Sequence, residues 1–113
     1  MEDSILKSIK KMLGIHESYT EFDTDIIIHI NSVFSILTQM GAGPVNGYYI
    51  SDDGDEWSDF IEDRADVEMI KTYVYLKVKQ MFDPPSSSSV SEASKNLINE
   101  LEWRISVGYN PNR

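Results

Sequence analysis

The sequence predicts an all-α fold, a small four-helix bundle with a long loop between the second helix and the central helix. Three observations predict it. Four segments repeat apolar residues at three- and four-residue spacing, the pattern of helices that each bury one face. The clearest of them runs into Pro84-Pro85, where no amide hydrogen remains to carry the helical ladder onward. Residues 41–55, by contrast, show no helical period at all.

The first helix is expected over 3–13, where Ile5, Leu6, Ile9, Met12 and Leu13 form the apolar side. Lys7, Lys10 and Lys11 lie on or beside the wet face. Lys10 and Lys11 fall in the last turn and complement the helix dipole, and Gly14 closes the helix. The second helix is expected over 23–40. Asp23 is its predicted N-cap, Phe22 and Ile27 stand at hydrophobic-staple spacing, and Gly41 stops it. Ile26, Ile30, Val33, Leu37 and Met40 make its stripe, widened by Ile27 and Phe34, which should pack on the central helix.

That central helix is expected over 66–82, capped by Asp66, with Val67, Ile70, Val74, Val78 and Met81 on one face and Tyr73 and Leu76 beside them. Residues 73–79 also alternate like a strand rich in β-branched and aromatic side chains. Length decides for the helix, because the apolar period extends well past the reach of an ordinary strand of about ten residues. Before it, Glu56-Trp57-Ser58-Asp59-Phe60-Ile61 forms one short helical turn. Its aromatics either cover the end of the bundle or anchor a neighbouring subunit. The last helix is expected over 90–107, started by capping-box spacing between Ser89 and Glu92, with Ala93, Leu97, Ile98, Leu101 and Ile105 inward. Gly108 should end it. Ile9, Ile30, Phe34, Leu37, Ile70, Val74, Val78, Leu97 and Leu101 are the predicted core.

A chain of 113 residues, 41% of them hydrophobic, fits one domain, taken as 1–108 with a flexible tail at 109–113. There is no cysteine, so neither disulfides nor thiolate metal sites hold it. The opening MEDSILKSIKKML places acids before its lysines and lacks a long apolar core, unlike a secretory signal. The longest unbroken aliphatic run, Ile26-Ile27-Ile28, is far too short to span a membrane. Nineteen acids against ten bases give a net charge of -9, which disfavours attachment to phosphate backbones. The acids concentrate over 52–68, where Arg64 is the single base, as in a solvated face around a turn.

No constellation for chemistry emerges. His29 follows Asp25 by one turn, but no second histidine stands at ligand spacing and no nucleophile accompanies it. Gly41-Ala42-Gly43 lacks the Lys and Ser/Thr of a phosphate loop. Aligning Gly54 with the invariant glycine of a calcium loop puts Phe60 where a bidentate glutamate belongs. No catalytic, cofactor-binding or metal-binding residue is therefore expected, and the chain does not read as an enzyme. Surfaces are the better candidates. Tyr48 and Tyr49 sit in a loop long enough to be functional. Trp57 and Phe60 occupy the short turn. Trp103 and Arg104 stand off the stripe of the last helix, where a Trp beside an Arg is typical of a binding hot spot; the alternative is that Trp103 covers the first helix.

The segments FDTDIIIHINSVFSILTQMGAGP, EWSDF, IKTYVYLKVKQMFDPPSSSSV and NELEWRI closely resemble the small head-tail connector, or adaptor, proteins of tailed bacteriophages. The likeness runs from Ile5 to about Val107. It implies a helical structural subunit of the virion, made in the host bacterial cytoplasm, that joins copies of itself in a ring beneath the portal protein. Such a ring extends the channel through which DNA passes without sequence-specific binding, and offers a platform to the next connector or tail-completion protein. It implies no cofactor, no membrane and no catalytic motif. Two other functions compete on the residues alone: an acidic DNA mimic or small phage inhibitor acting on a host factor, and a small hydrolase or metal enzyme using His16 and His29.

Overall fold

The computed structural model describes residues 4–61, 64–84 and 87–109. Five helices follow one another: α1 (Ile5–Met12), α2 (Asp23–Gln39), α3 (Trp57–Phe60), α4 (Arg64–Phe82) and α5 (Ser88–Tyr109). The long helices are those the apolar periods predicted, α3 is the predicted short turn, and 73–79 is helical. Among the described residues the extended structure amounts to one antiparallel bridge, Ser4 with Glu56.

α4 is the centre. It packs against α2 on one side and α5 on another, and α1 lies across α2 and α4. Ile70, Tyr73, Val74 and Val78 of α4 meet Ile26, Ile30, Val33, Phe34 and Leu37 of α2 in one apolar cluster, which α1 joins through Ile5, Leu6 and Ile9. Eight of the nine predicted core residues are buried there, and Leu97 is not. It is 43% exposed, because α5 turns Ile98, Leu101 and Ile105 inward and leaves Leu97 at the margin of the strip. Met81 and Met12 likewise lie on the wet edge of their helices.

The predicted caps need correction at three starts. α2 begins one residue early, with Phe22 at the cap position and no side-chain hydrogen bond, so Asp23 is already the first helical residue. Phe22 is thus the cap residue and not the one before it that a staple uses, and its ring stands edge-on to Phe82, 5.4 Å between centroids. α4 begins at Arg64, before Asp66, which falls within the first turn. In α5 the Ser87 hydroxyl, not Ser89, accepts from a free amide, that of Val90 at 3.4 Å. Each helix ran further back than its first apolar residue. At the other end α5 continues through Gly108 to Tyr109, so the glycine does not end it; the rest of the expected tail, 110–113, lies outside the described residues, as do Pro85 and Ser86 of the connector. The stops of α1 and α2 fall as predicted, at Gly14 and Gly41, both with positive φ.

Lys10 is the residue whose setting the sequence hid. It is 2% exposed, and its ammonium donates to the Glu17 carbonyl at 3.1 Å and faces an Asp23 carboxylate oxygen at 2.8 Å. The pair closes the 13–22 connection and ties the end of α1 to the start of α2. A solvent-facing lysine in a last turn would have served the dipole alone; here the charge is desolvated and depends on its partner.

Candidate functional site

The loop over 41–55 is held against α2 by hydrogen bonds rather than by a strand partner. The Asn31 side chain treats the Ile50 backbone as a neighbouring strand would: its Nδ2 donates to the Ile50 carbonyl at 3.0 Å, and its Oδ1 accepts the Ile50 amide at 2.7 Å. The Asp55 carboxylate accepts the amide of Ser51 at 2.8 Å, and the Asp52 carboxylate that of Gly54, also at 2.8 Å. Gly43, at φ 82°, passes so close to the Phe60 ring that a Cβ there would collide with it. Only glycine combines that φ with that approach.

Tyr48 and Tyr49, predicted together as docking residues, go opposite ways. The Tyr48 ring packs on Phe34 and Phe60, each at 5.4 Å between centroids. Its hydroxyl is buried with no hydrogen-bond partner. Burial, with the Asp55 and Asp59 carboxylates adding to it, pushes its pKa up to about 12. Tyr49 stands in solvent, as does Val45 near the loop's tip. Between this loop and the outer face of α2 runs an open groove of about 550 Å³, lined by Asn31, Ser35, Thr38 and Gln39 of the helix and by residues 46–49. None of its lining residues is charged, on a chain of net charge -9.

Trp57 and Phe60 are placed as the bundle-end cover and not as exposed anchors. They are 1% and 3% exposed. The Trp57 indole nitrogen donates to the Ser8 hydroxyl at 2.8 Å, the Lys71 ammonium lies 5.8 Å from its ring, and Phe60 stacks on Phe34 at 4.6 Å. A side chain spent in this way on its own core has no surface left for a partner, which corrects the interface expectation for both residues. The outer side of this turn instead carries the exposed carboxylates of Asp52, Asp53, Glu56 and Asp59.

Trp103 and Arg104 are on the surface, as their place off the stripe implied. Trp103 is 65% exposed, so it does not cover α1. The apolar strip of α5 at Ile98, Leu101 and Ile105 faces α4, and a residue two positions from both Leu101 and Ile105 points away from it. Arg104 Nε lies 3.2 Å from Glu100 one turn back, at the edge of a shallow α4–α5 depression that Met69 and Leu101 floor. What fixes α5 to α4 besides the strip is polar: the Tyr73 hydroxyl donates to Glu102 at 2.8 Å, and Lys77 approaches the same carboxylate at 4.0 Å. Burial first, and Glu102 second, raise the Tyr73 pKa above the ordinary phenol range.

The two histidines do not converge on chemistry. His16 Nδ1 is engaged by Ser18, whose amide donates to it at 3.1 Å, and the His29 ring lies edge-on to Phe82 at 6.4 Å. Among the described residues no group of His, Cys, Asp and Glu is placed to hold a metal ion, and no helix is long and apolar enough to cross a membrane. The groove residues Asn31, Ser35 and Gln39 were missed in the sequence, although a signal was present: they repeat at four-residue spacing on one face of a helix otherwise dominated by apolar side chains.

Helices packed about α4, a polar groove on one side and an outward aromatic on the other describe a structural protein that works through its surfaces. The chain belongs to the phage connector protein family, whose pattern matches residues 5–112. It is therefore a structural protein of the bacteriophage head-tail connector. No curated protein matches it, and no solved structure does.

Proposed function

We propose that the chain is the subunit of a ring seated beneath the portal of a filled phage head, where it extends the DNA channel and receives the next connector or tail-completion protein. The family match over 5–112 carries this reading. Its partners are then copies of itself, the portal protein and that next protein, and its place is the virion. A closed ring needs two different complementary patches on each subunit. The outer side of α5, with Trp103 and Arg104, is one; the Tyr49 side of the 41–55 loop is the other. The net charge of -9 supports passage of DNA without capture, since a basic wall would bind phosphates and release counterions.

Electron microscopy of the purified protein, alone and with its portal, tests the reading. Rings, or an added tier on the portal, are expected. A chain that leaves the portal bare and competes with DNA for a host protein would instead support the inhibitor. A companion measurement is a gel shift with duplex DNA at physiological salt. No shift is expected, and a salt-sensitive one would remove the sliding-channel argument.

A further inference from the structure

Resting on the ring reading, we infer that the contact between neighbouring copies is a knob in a hole: Trp103 of one copy seats in the groove between α2 and the 41–55 loop of the next. Among the described side chains of the second half of the chain Trp103 is the most exposed aromatic ring, and it projects from the side of α5 turned away from α4. The groove opens on the face of α2 turned away from the core. α5 packs on α4, and α4 on α2, so knob and hole lie on different sides of the α2–α4 pair. That is the geometry of a heterologous contact, in which each copy gives one patch and receives at the other.

Size and chemistry agree with this occupant. At about 550 Å³ the groove is within the range, roughly 300–1,000 Å³, of sites that enclose small molecules, and it is roomier than one indole requires. It bears no charge, so an uncharged side chain enters without stripping an ion of water. An indole carries a single N–H donor. Among the described residues Trp103 makes no hydrogen bond with it, whereas Trp57 has spent its own on Ser8. The groove offers acceptors in return, the side-chain amide oxygens of Gln39 and Asn46 and the hydroxyl of Ser35. Tyr49, exposed at the rim, supplies a ring for the indole to lie against. The acidic turn over 52–59 is a poorer alternative, since an uncharged side chain seated there would strip its exposed carboxylates of water.

The test uses two variants that each spoil one half of the contact, Trp103→Ala for the knob and Ser35→Arg to fill the hole. Both positions are exposed, so each variant should keep the helicity and melting temperature of the unmodified chain. Each alone should need at least about a tenfold higher concentration to assemble, the size of a hot-spot loss. Mixed in equal amounts, they should form pairs and stop there, because the intact knob of Ser35→Arg fills the intact hole of Trp103→Ala and the pair is left with only the spoiled halves. Sedimentation velocity reads the sizes. Rings formed by either variant at the unmodified concentration, or a mixture that stays monomeric, would overturn the pairing while leaving the ring reading in place. If the unmodified chain forms no ring alone or on the portal, the ring reading fails first and the pairing with it.

Discussion

α1 is 8 residues long and buries Ile5, Leu6, Ser8, Ile9 and Lys10; α5 is 22 residues long and, among the described side chains, buries Ile98, Leu101 and Ile105. The short helix is enclosed on several sides. The Ile5 amide donates to the Asp55 carbonyl at 3.0 Å, the Ser4 hydroxyl to the Asp53 carbonyl at 2.8 Å, Ser8 receives the Trp57 indole, and Lys10 reaches Asp23. The long helix rests on α4 along one strip. A helix so short has little stability of its own, and its tertiary contacts must supply the rest. α5 has more length than its contact with α4 requires, and the surplus surface carries Val90, Trp103 and Val107 into solvent. The contrast separates residues that the fold itself accounts for from residues that need an outside partner to account for them.

The most severe way to break the comparison is to remove the helix both regions share. Val74 of α4 is fully buried. Val74→Asp places a lone carboxylate there at a cost of several kcal/mol, and should unfold the chain, α1 and α5 together. Far-ultraviolet circular dichroism should show coil; a soluble, fully helical variant would mean that α4 is not the common support.

Next in size is the α1 side alone. Asp23→Ala leaves the buried Lys10 ammonium facing no carboxylate. Loss of one partner from a buried pair costs about 3–5 kcal/mol, and because Asp23 is partly exposed the lower end, about 3 kcal/mol, is expected. The double change Lys10→Met with Asp23→Leu should be milder than the single one, since it removes the charge along with its partner. Urea unfolding compares them, and equal losses would show that packing, not charge, decides. Gly43→Ala comes third, at roughly 1–3 kcal/mol from the positive φ and the Phe60 collision. Gly47→Ala shares the positive φ but its Cβ would meet only the Thr38 hydroxyl, at 4.0 Å, so the difference between the two variants isolates the collision.

These same residues show how far the sequence could be read. Apolar spacing identified every long helix, because a buried face repeats along the chain whatever it packs against. It did not say how a helix rolls by a few tens of degrees, and of Leu97 and Ile98, both expected inward, only Ile98 is buried for that reason. Lys10 read as a surface lysine because its partner, Asp23, is brought to it only when the 13–22 connection folds back. Trp57 and Phe60 were rightly suspected of covering the bundle, yet large aromatics suit cores and interfaces equally, and composition does not separate the two. Trp103 was legible, since its offset from the stripe is a matter of counting. The groove was half legible: its helical wall is a periodic polar face, but its other wall is a loop whose path Asn31 and Gly43 fix through contacts with no sequence period.

A smaller effect separates the loop from the bundle by pH. The Tyr48 pKa is raised by burial from 10.0 to about 12, so the folded chain holds a proton that the unfolded chain has lost. Its contribution is complete below pH 10 and disappears as pH rises from 10 towards 12; Tyr73, shifted in the same direction, adds to the loss. Stability measured across that window should therefore decline, and Tyr48→Phe should make the decline shallower. It should also remove an unsatisfied buried hydroxyl, so that the variant is no less stable at neutral pH. Phenolate absorbance of the folded protein gives an independent reading, and a Tyr48 that ionises with the exposed tyrosines would show that its hydroxyl reaches water.

The smallest expected effect sharpens the comparison most finely, because it concerns two neighbours on one helix. Ile98 is 4% exposed against α4, and Leu97 is 43% exposed beside it. Leu97→Gln exchanges a half-wet apolar side chain for a polar one of similar length and should change stability by no more than about 0.5 kcal/mol. Ile98→Gln must bury an amide among Leu101, Ile105 and the α4 side chains, and about 1–3 kcal/mol should be lost. The pair is a measure of how α5 is rolled on its support. Equal losses would put Leu97 in the contact and swing the opposite side of the helix round with it, carrying Trp103 away from the outward direction that the subunit contact needs. A large loss at Ile98 with none at Leu97 fixes the roll, and with it the direction in which Trp103 must meet whatever covers it.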